Sequence, residues 1–208
     1  MRSFIACLAL VLIIGLVGDA SAFLGQRTFQ FNYRQADVKH SSYDGYSATE
    51  KTFIVGASFP MNENVDLSAG AQWGKVEGNQ GLKVSTSVYR AGALYHFFPG
   101  GVVDPYVGTS YNQISSTSET DFIAKETINT GSLTARTGAE VIINEQITII
   151  PQYSYTRYFN DDLLDQDSTQ GSITAVYWAS GNVGLTVTYA HDFDDKSSLF
   201  TTGASFSL

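Results

Sequence analysis

Residues 65–74 read Val-Asp-Leu-Ser-Ala-Gly-Ala-Gln-Trp-Gly. Val65, Leu67, Ala69, Ala71 and Trp73 share one parity and Asp66, Ser68, Gly70, Gln72 and Gly74 the other, the period of a pleated strand with one apolar and one polar face. The pattern recurs on both sides. Phe29, Phe31 and Tyr33 alternate with Thr28, Gln30, Asn32 and Arg34, and Phe53, Val55, Ala57 and Phe59 alternate with Thr52, Ile54, Gly56 and Ser58. Tyr89, Ala91, Ala93, Tyr95 and Phe97 oppose Arg90, Gly92, Leu94 and His96. Towards the end, Leu185, Val187 and Tyr189 alternate with Thr186 and Thr188, and Phe200, Thr202, Ala204, Phe206 and Leu208 with Thr201, Gly203, Ser205 and Ser207. Ten such segments are predicted, at 27–38, 50–59, 65–76, 82–97, 103–115, 131–143, 147–159, 169–179, 183–191 and 198–208, with eight as the alternative count.

The connections alternate in character. Pro60–Asn64, Pro99–Val102, Asn144–Gln146 and Ser180–Asn182 read as tight turns. Lys39–Thr49, Glu77–Gly81, Ser116–Thr130, Asn160–Ser168 and Asp192–Ser197 are mostly longer and rich in Ser, Thr, Asp and Asn. An even strand number with short turns on one rim and polar loops on the other describes an all-β, antiparallel up-and-down transmembrane β-barrel with both ends of the chain on the turn side. In hydrocarbon every backbone polar group must be paired, which leaves helices and closed barrels, and beyond residue 22 no apolar run is long enough for a spanning helix.

Composition agrees. The chain has 208 residues, enough for one domain, and is 43% hydrophobic but only 15% charged, against roughly 25% charged in a soluble protein. Lys and Arg number 12 against 20 Asp and Glu, so the net charge of −8 excludes a nucleic-acid binder. Alternation alone fits a soluble lipocalin-like barrel equally well. The polar face decides: it carries Gly56, Gly70, Gly92, Gly108, Gly138 and Gly203 among Ser, Thr and Gln, with few of the Lys and Glu that a water-facing wall needs. The bulky rings therefore face lipid. Trp73, Tyr95, Phe97, Phe98, Tyr106, Tyr111, Tyr153, Tyr155, Tyr158 and Phe159, near segment ends, are expected to form interfacial girdles. A mean hydropathy of −0.04 is the average of these opposed populations.

Residues 1–22 have the form of a secretory signal peptide, with Arg2, an apolar run from Phe4 to Val17 and Ala20-Ser21-Ala22 at the cleavage site. Cys7 lies inside it, so the barrel domain, 23–208, has no cysteine and no disulfide. Removing Arg2 and Asp19 leaves 11 basic and 19 acidic residues, again −8.

Thr201, Gly203, Phe206 and Leu208 occupy the places of the C-terminal signal by which the barrel-assembly machinery recognises outer-membrane proteins, Leu208 standing where Phe or Tyr is commoner. The hairpin Ala93-Leu94-Tyr95-His96-Phe97-Phe98, followed by Asp104-Pro105-Tyr106-Val107-Gly108, resembles one found in the small OmpA-type and opacity-type outer-membrane β-barrel families. The resemblance implies the outer membrane of a Gram-negative bacterium, handling by periplasmic chaperones and the assembly machinery, and a barrel fold without a specific chemistry. No peptidoglycan-binding domain is expected after the last strand.

Strand parity places Arg34, Asp66, Arg90, Arg136 and Glu140 on the lumen face. Buried charges must be paired, so an Arg–carboxylate network is expected there, with Arg136 and Glu140 taking part, either plugging the lumen or lining a narrow pore. His96 on the same face reads as a packing residue. Catalytic arrangements are weak. His191-Asp192 with Asp194, Asp195 and Asp161-Asp162 superficially mimics the acidic and histidine set of omptin-type proteases, and His40-Ser41-Ser42 a lipid-modifying enzyme, but no motif carries over residue by residue. Asn160–Asp167 holds four Asp and lacks the sixth-position Gly of an EF-hand loop, which leaves a solvated loop. The expectation is a monomeric, non-enzymatic barrel without cofactor or metal, structural or surface-interacting through its outer loops, in contact with outer-membrane lipid and lipopolysaccharide. A narrow channel is the second reading and an outer-membrane protease or lipid A-modifying enzyme the third.

Overall fold

A computed structural model of the chain describes residues 27–39, 47–78, 81, 83–120, 123–159, 167–194 and 196–207. Residues 1–22, His40-Ser41-Ser42, Asp161, Asp162, Asp165, Asp195 and Leu208 lie outside them. The strands are β1 Thr28–Lys39, β2 Ser47–Pro60, β3 Val65–Gly78, β4 Lys83–His96, β5 Val103–Thr120, β6 Ile123–Asn144, β7 Ile147–Tyr158, β8 Ser168–Ser180, β9 Val183–Asp192 and β10 Ser197–Ser207. Each pairs antiparallel with its neighbour in sequence, and β10 returns to β1, closing a ten-stranded barrel. The count of ten stands over eight.

The wall is inside out relative to a soluble protein. Buried positions are mostly Ser, Thr, Gln and charged side chains, while Phe53 and Phe200 are 59% and 64% exposed and Phe31, Tyr89, Ile173 and Leu185 are exposed with them. So continuous an apolar exterior is stable in lipid and not in water. Towards the loop end, the outward apolar run stops on successive strands at Tyr33, Phe53, Trp73, Tyr89, Tyr111, Leu133, Tyr155, Ile173, Tyr189 and Phe200. Tyr33, Phe53 and Trp73 are register partners across β1, β2 and β3. Two members of the expected girdles are elsewhere: Tyr106 and Tyr158 fall on lumen parity and are 3% and 4% exposed. Their position near a strand end suggested the interface, but side-chain parity, not height, decides which face a residue takes.

The longest loop read from the sequence is mostly strand. β5 continues to Thr120 and β6 begins at Ile123, so Ser116–Thr130 is the upper part of a tall hairpin. Outward residues here are as polar as inward ones, which erases the period of two, while Thr still favours extended backbone. Thr117 and Thr127 hydroxyls meet across it at 3.0 Å. At the opposite rim the connections are short. Gly100, in the β4–β5 turn, has a φ of +82°, a conformation available to it because it has no Cβ.

Candidate functional site

Alternation aims one side chain in two at the lumen, and the five predicted lumen charges are all there: Arg34, Asp66, Arg136 and Glu140 buried, Arg90 half-buried. They lie at three levels. At the loop end, the Arg34 guanidinium pairs with the Glu50 carboxylate, and the Thr52 hydroxyl donates to Glu50 Oε1 at 2.7 Å. Glu50 was missed by the sequence reading, although it has the parity of Thr52 and heads the same predicted segment.

At mid-height, Arg90 and Arg136 line a cavity with Gln30, Asn32, Ile54 and Ser68. Its volume is about 10 Å³, room for about one water. Around it runs a ladder of short polar side chains. Asn112 Nδ2 donates to Ser132 Oγ at 3.0 Å and to Thr134 Oγ1 at 3.1 Å, Thr134 meets Thr156 at 2.9 Å, and the Thr186 hydroxyl donates to Asn32 Oδ1 at 3.1 Å. Small donors and acceptors pair with one another here across neighbouring strands.

At the turn end, His96 Nδ1 lies 2.7 Å from Asp104 Oδ2 and its Nε2 3.4 Å from Asp66 Oδ2. The Phe98 amide donates to Asp104 Oδ1 at 3.1 Å, and Asn64 Nδ2 donates to the His96 carbonyl at 2.8 Å, so the cluster also ties two turns together. Glu140 is the register partner of Asp104. Four residues separate the backbones of Glu140 and Arg136 on one face of β6, about 13 Å along a strand, so they spring from different layers while both side chains are engaged in the lumen. Between those layers Leu94, Tyr106, Ile150 and Val176 pack together with Trp178 against them. Tyr106 also donates from its hydroxyl to Gln152 Oε1 at 2.9 Å. Asp104, in the hairpin quoted above, shares the lumen parity of Tyr106 and is a lumen charge beyond the five expected.

Of the C-terminal assembly residues, Thr201 is buried on the lumen side and Phe206 faces out, 37% exposed. Gly203 sits opposite Asn32, where a Cβ would collide with the Asn32 side chain and the Phe31 carbonyl. A glycine therefore lets β10 close against β1.

The His191-Asp192 pair is split by the wall. Asp192 faces inward, accepting from the Ser168 hydroxyl at 2.8 Å and the Asp194 amide at 2.9 Å. His191 faces outward, with Nδ1 2.9 Å from Ser198 Oγ and its ring against Phe193. Among the described residues no carboxylate orients that imidazole, and no group of three His, Cys, Asp or Glu is arranged to hold a metal. Asp167 of the acidic loop accepts a hydrogen bond from the Tyr155 hydroxyl.

A family model described as outer membrane protein beta-barrel domain matches residues 5–190. No curated protein sequence matches the chain. Among solved structures, the transport unit of the autotransporter AIDA-I from Escherichia coli is similar at a TM-score of 0.60 and 12% identity, over 98% of this chain and 86% of that one. The COG4313 outer membrane channel from Pseudomonas putida F1 gives 0.55 and 11%, over 92% and 98%. The translocator domain of the autotransporter NalP from Neisseria meningitidis gives 0.51 and 11%, over 99% and 98%. At these identities the likeness is one of fold.

Proposed function

The chain belongs to the outer membrane protein β-barrel domain family, and from that premise we propose that it is a plugged, non-enzymatic wall protein, structural or surface-interacting through its outer loops and not a conduit. The observation that carries this reading is the mid-height lumen face, where Arg90 and Arg136 project from the wall and the cavity they line holds about 10 Å³. That cavity has room for about one water, less than a hydrated ion occupies. The apolar layer of Leu94, Tyr106, Ile150 and Val176 adds a second obstruction nearer the turns. The His191–Ser198 contact does not favour a hydrolytic mechanism, since among the described residues no carboxylate orients the imidazole and the pair faces the membrane side of the wall. In this reading the chain is exported with cleavage after Ala22, escorted by periplasmic chaperones, inserted by the barrel-assembly machinery through Thr201, Gly203, Phe206 and Leu208, and functions as a monomer among lipopolysaccharide.

Planar-bilayer recording tests it. The refolded barrel is expected to show no steady unitary conductance. A steady current altered by Arg136→Gln or Glu140→Gln would establish the narrow channel instead.

A further inference from the structure

The outer wall carries its own charge pattern. The outward residue next above each girdle position is cationic or a histidine at Lys51, Lys75, Arg157 and His191, and uncharged on the other strands. No carboxylate occurs in this ring, in a chain whose net charge is −8. Lys51 and Lys75 are also direct register partners on β2 and β3, immediately above the partners Phe53 and Trp73. Like charges directly opposite across two strands repel. Among the described residues neither ammonium makes a hydrogen bond or ion pair; their other register neighbours are Gln35 and Ser85, and the nearest outward carboxylate, Glu77, is itself the register partner of Lys83. A groove of about 740 Å³ runs between them, lined also by Gln35, Thr49, Phe53, Trp73, Ser85 and, at its upper end, the carboxylate-bearing Glu77.

We propose that this groove on β1–β4 binds the phosphate of a phosphorylated glycolipid headgroup of the outer leaflet, clamped between Lys51 and Lys75 with its sugar against Trp73. The inference rests on the reading of the barrel as an outer-membrane protein with its loops outward. That orientation sets the lysine row at headgroup depth, just beyond the aromatic belt. Charge complementarity selects the occupant: two facing ammonium groups are relieved by an anion with two or more acceptor oxygens, and the hydroxyls and amide around them suit a sugar. Zwitterionic headgroups bring a cation of their own, which the pair would repel.

The test uses the full barrel in phosphatidylcholine nanodiscs. Trp73 and Trp178 are the two tryptophans, so Trp178→Phe leaves Trp73 in the groove as the reporter. Adding diphosphorylated lipid A is expected to change Trp73 emission saturably, and Lys51→Gln with Lys75→Gln to weaken that response about tenfold or more, while Lys51→Arg with Lys75→Arg retains it. Equal response to lipid A stripped of phosphate, or an unchanged affinity in the double Gln variant, would overturn the proposal. Heat-modifiable migration on a gel, boiled against unboiled, is run on every sample. A folded barrel indifferent to lipid A sinks this inference alone, whereas absence of a shift in the parent barrel sinks the membrane reading beneath it.

Discussion

Glu50 and Lys51 are neighbours in sequence and stand on opposite sides of one wall. Glu50, wholly buried, faces Arg34 and Thr52 in the lumen; Lys51, exposed, faces Lys75. The inner wall matches charge with charge from within the chain, and so do His96, Asp66 and Asp104 at the turn end. On the outer wall, Lys51 and Lys75 set like against like, whereas one step further along Glu77 and Lys83 are partners of opposite charge. Inside, desolvation makes an unmatched charge too costly to keep; outside, the proposed glycolipid phosphate would complete what the chain leaves open.

The comparison breaks most severely at its inner half. Glu50→Gln removes the carboxylate from Arg34 while leaving the guanidinium buried, and loss of one partner of such a pair costs about 3–5 kcal/mol. Urea unfolding in phosphatidylcholine vesicles, followed by tryptophan fluorescence, is expected to show this loss. A cost under about 1 kcal/mol would mean that lumen water solvates Arg34, and that the plug is looser than the packing implies.

Next in size is a charge moved down the outer wall. Ala69 lies at the middle of the outward apolar run of β3, six residues from Lys75 on the same face. Ala69→Lys is expected to destabilise by roughly 2–4 kcal/mol, the cost of Lys at the bilayer midplane. Lys75 escapes that cost by its height. If the two positions tolerated Lys equally in the same unfolding assay, the apolar band would be misplaced and the lysine row with it.

Both halves of this comparison were largely written in parity. A period of two fixed which face each of Arg34, Asp66, Arg90, Arg136 and Glu140 takes, since a pleated strand offers no third direction. Height and partnership were less legible. Arg34 meets Glu50 only because β1 and β2 pair in one particular register. Register is a property of two strands and is set by turns and by the whole closed wall, so a single segment cannot announce it. Likewise Tyr106 and Tyr158 looked like girdle residues by height, and Ser116–Thr130 looked like a loop because polar residues on both faces hide a strand.

A smaller effect separates packing from polarity in the lumen. Tyr106 contributes its ring to the apolar layer and its hydroxyl to Gln152. Tyr106→Phe keeps the ring and is expected to cost about 1 kcal/mol in the unfolding assay, the net worth of one hydrogen bond. Conductance should stay absent, because the layer remains closed.

The smallest effect has the most informative sign. Lys51→Gln in phosphatidylcholine vesicles, without phosphorylated lipid, removes one of two opposed ammonium groups and breaks no hydrogen bond or ion pair formed among the described residues. It is therefore expected to stabilise the barrel, by roughly 0.2–1 kcal/mol, the range of cross-strand pair energies. Glu50→Gln, one residue away, makes the same change to an uncharged amide with the opposite sign and several times the size. Destabilisation by Lys51→Gln in pure phosphatidylcholine would show that the chain itself already satisfies this ammonium. The asymmetry between the two faces of β2 would then vanish. With diphosphorylated lipid A in the vesicles the gain should disappear or reverse, because the substitution then also removes a ligand's partner.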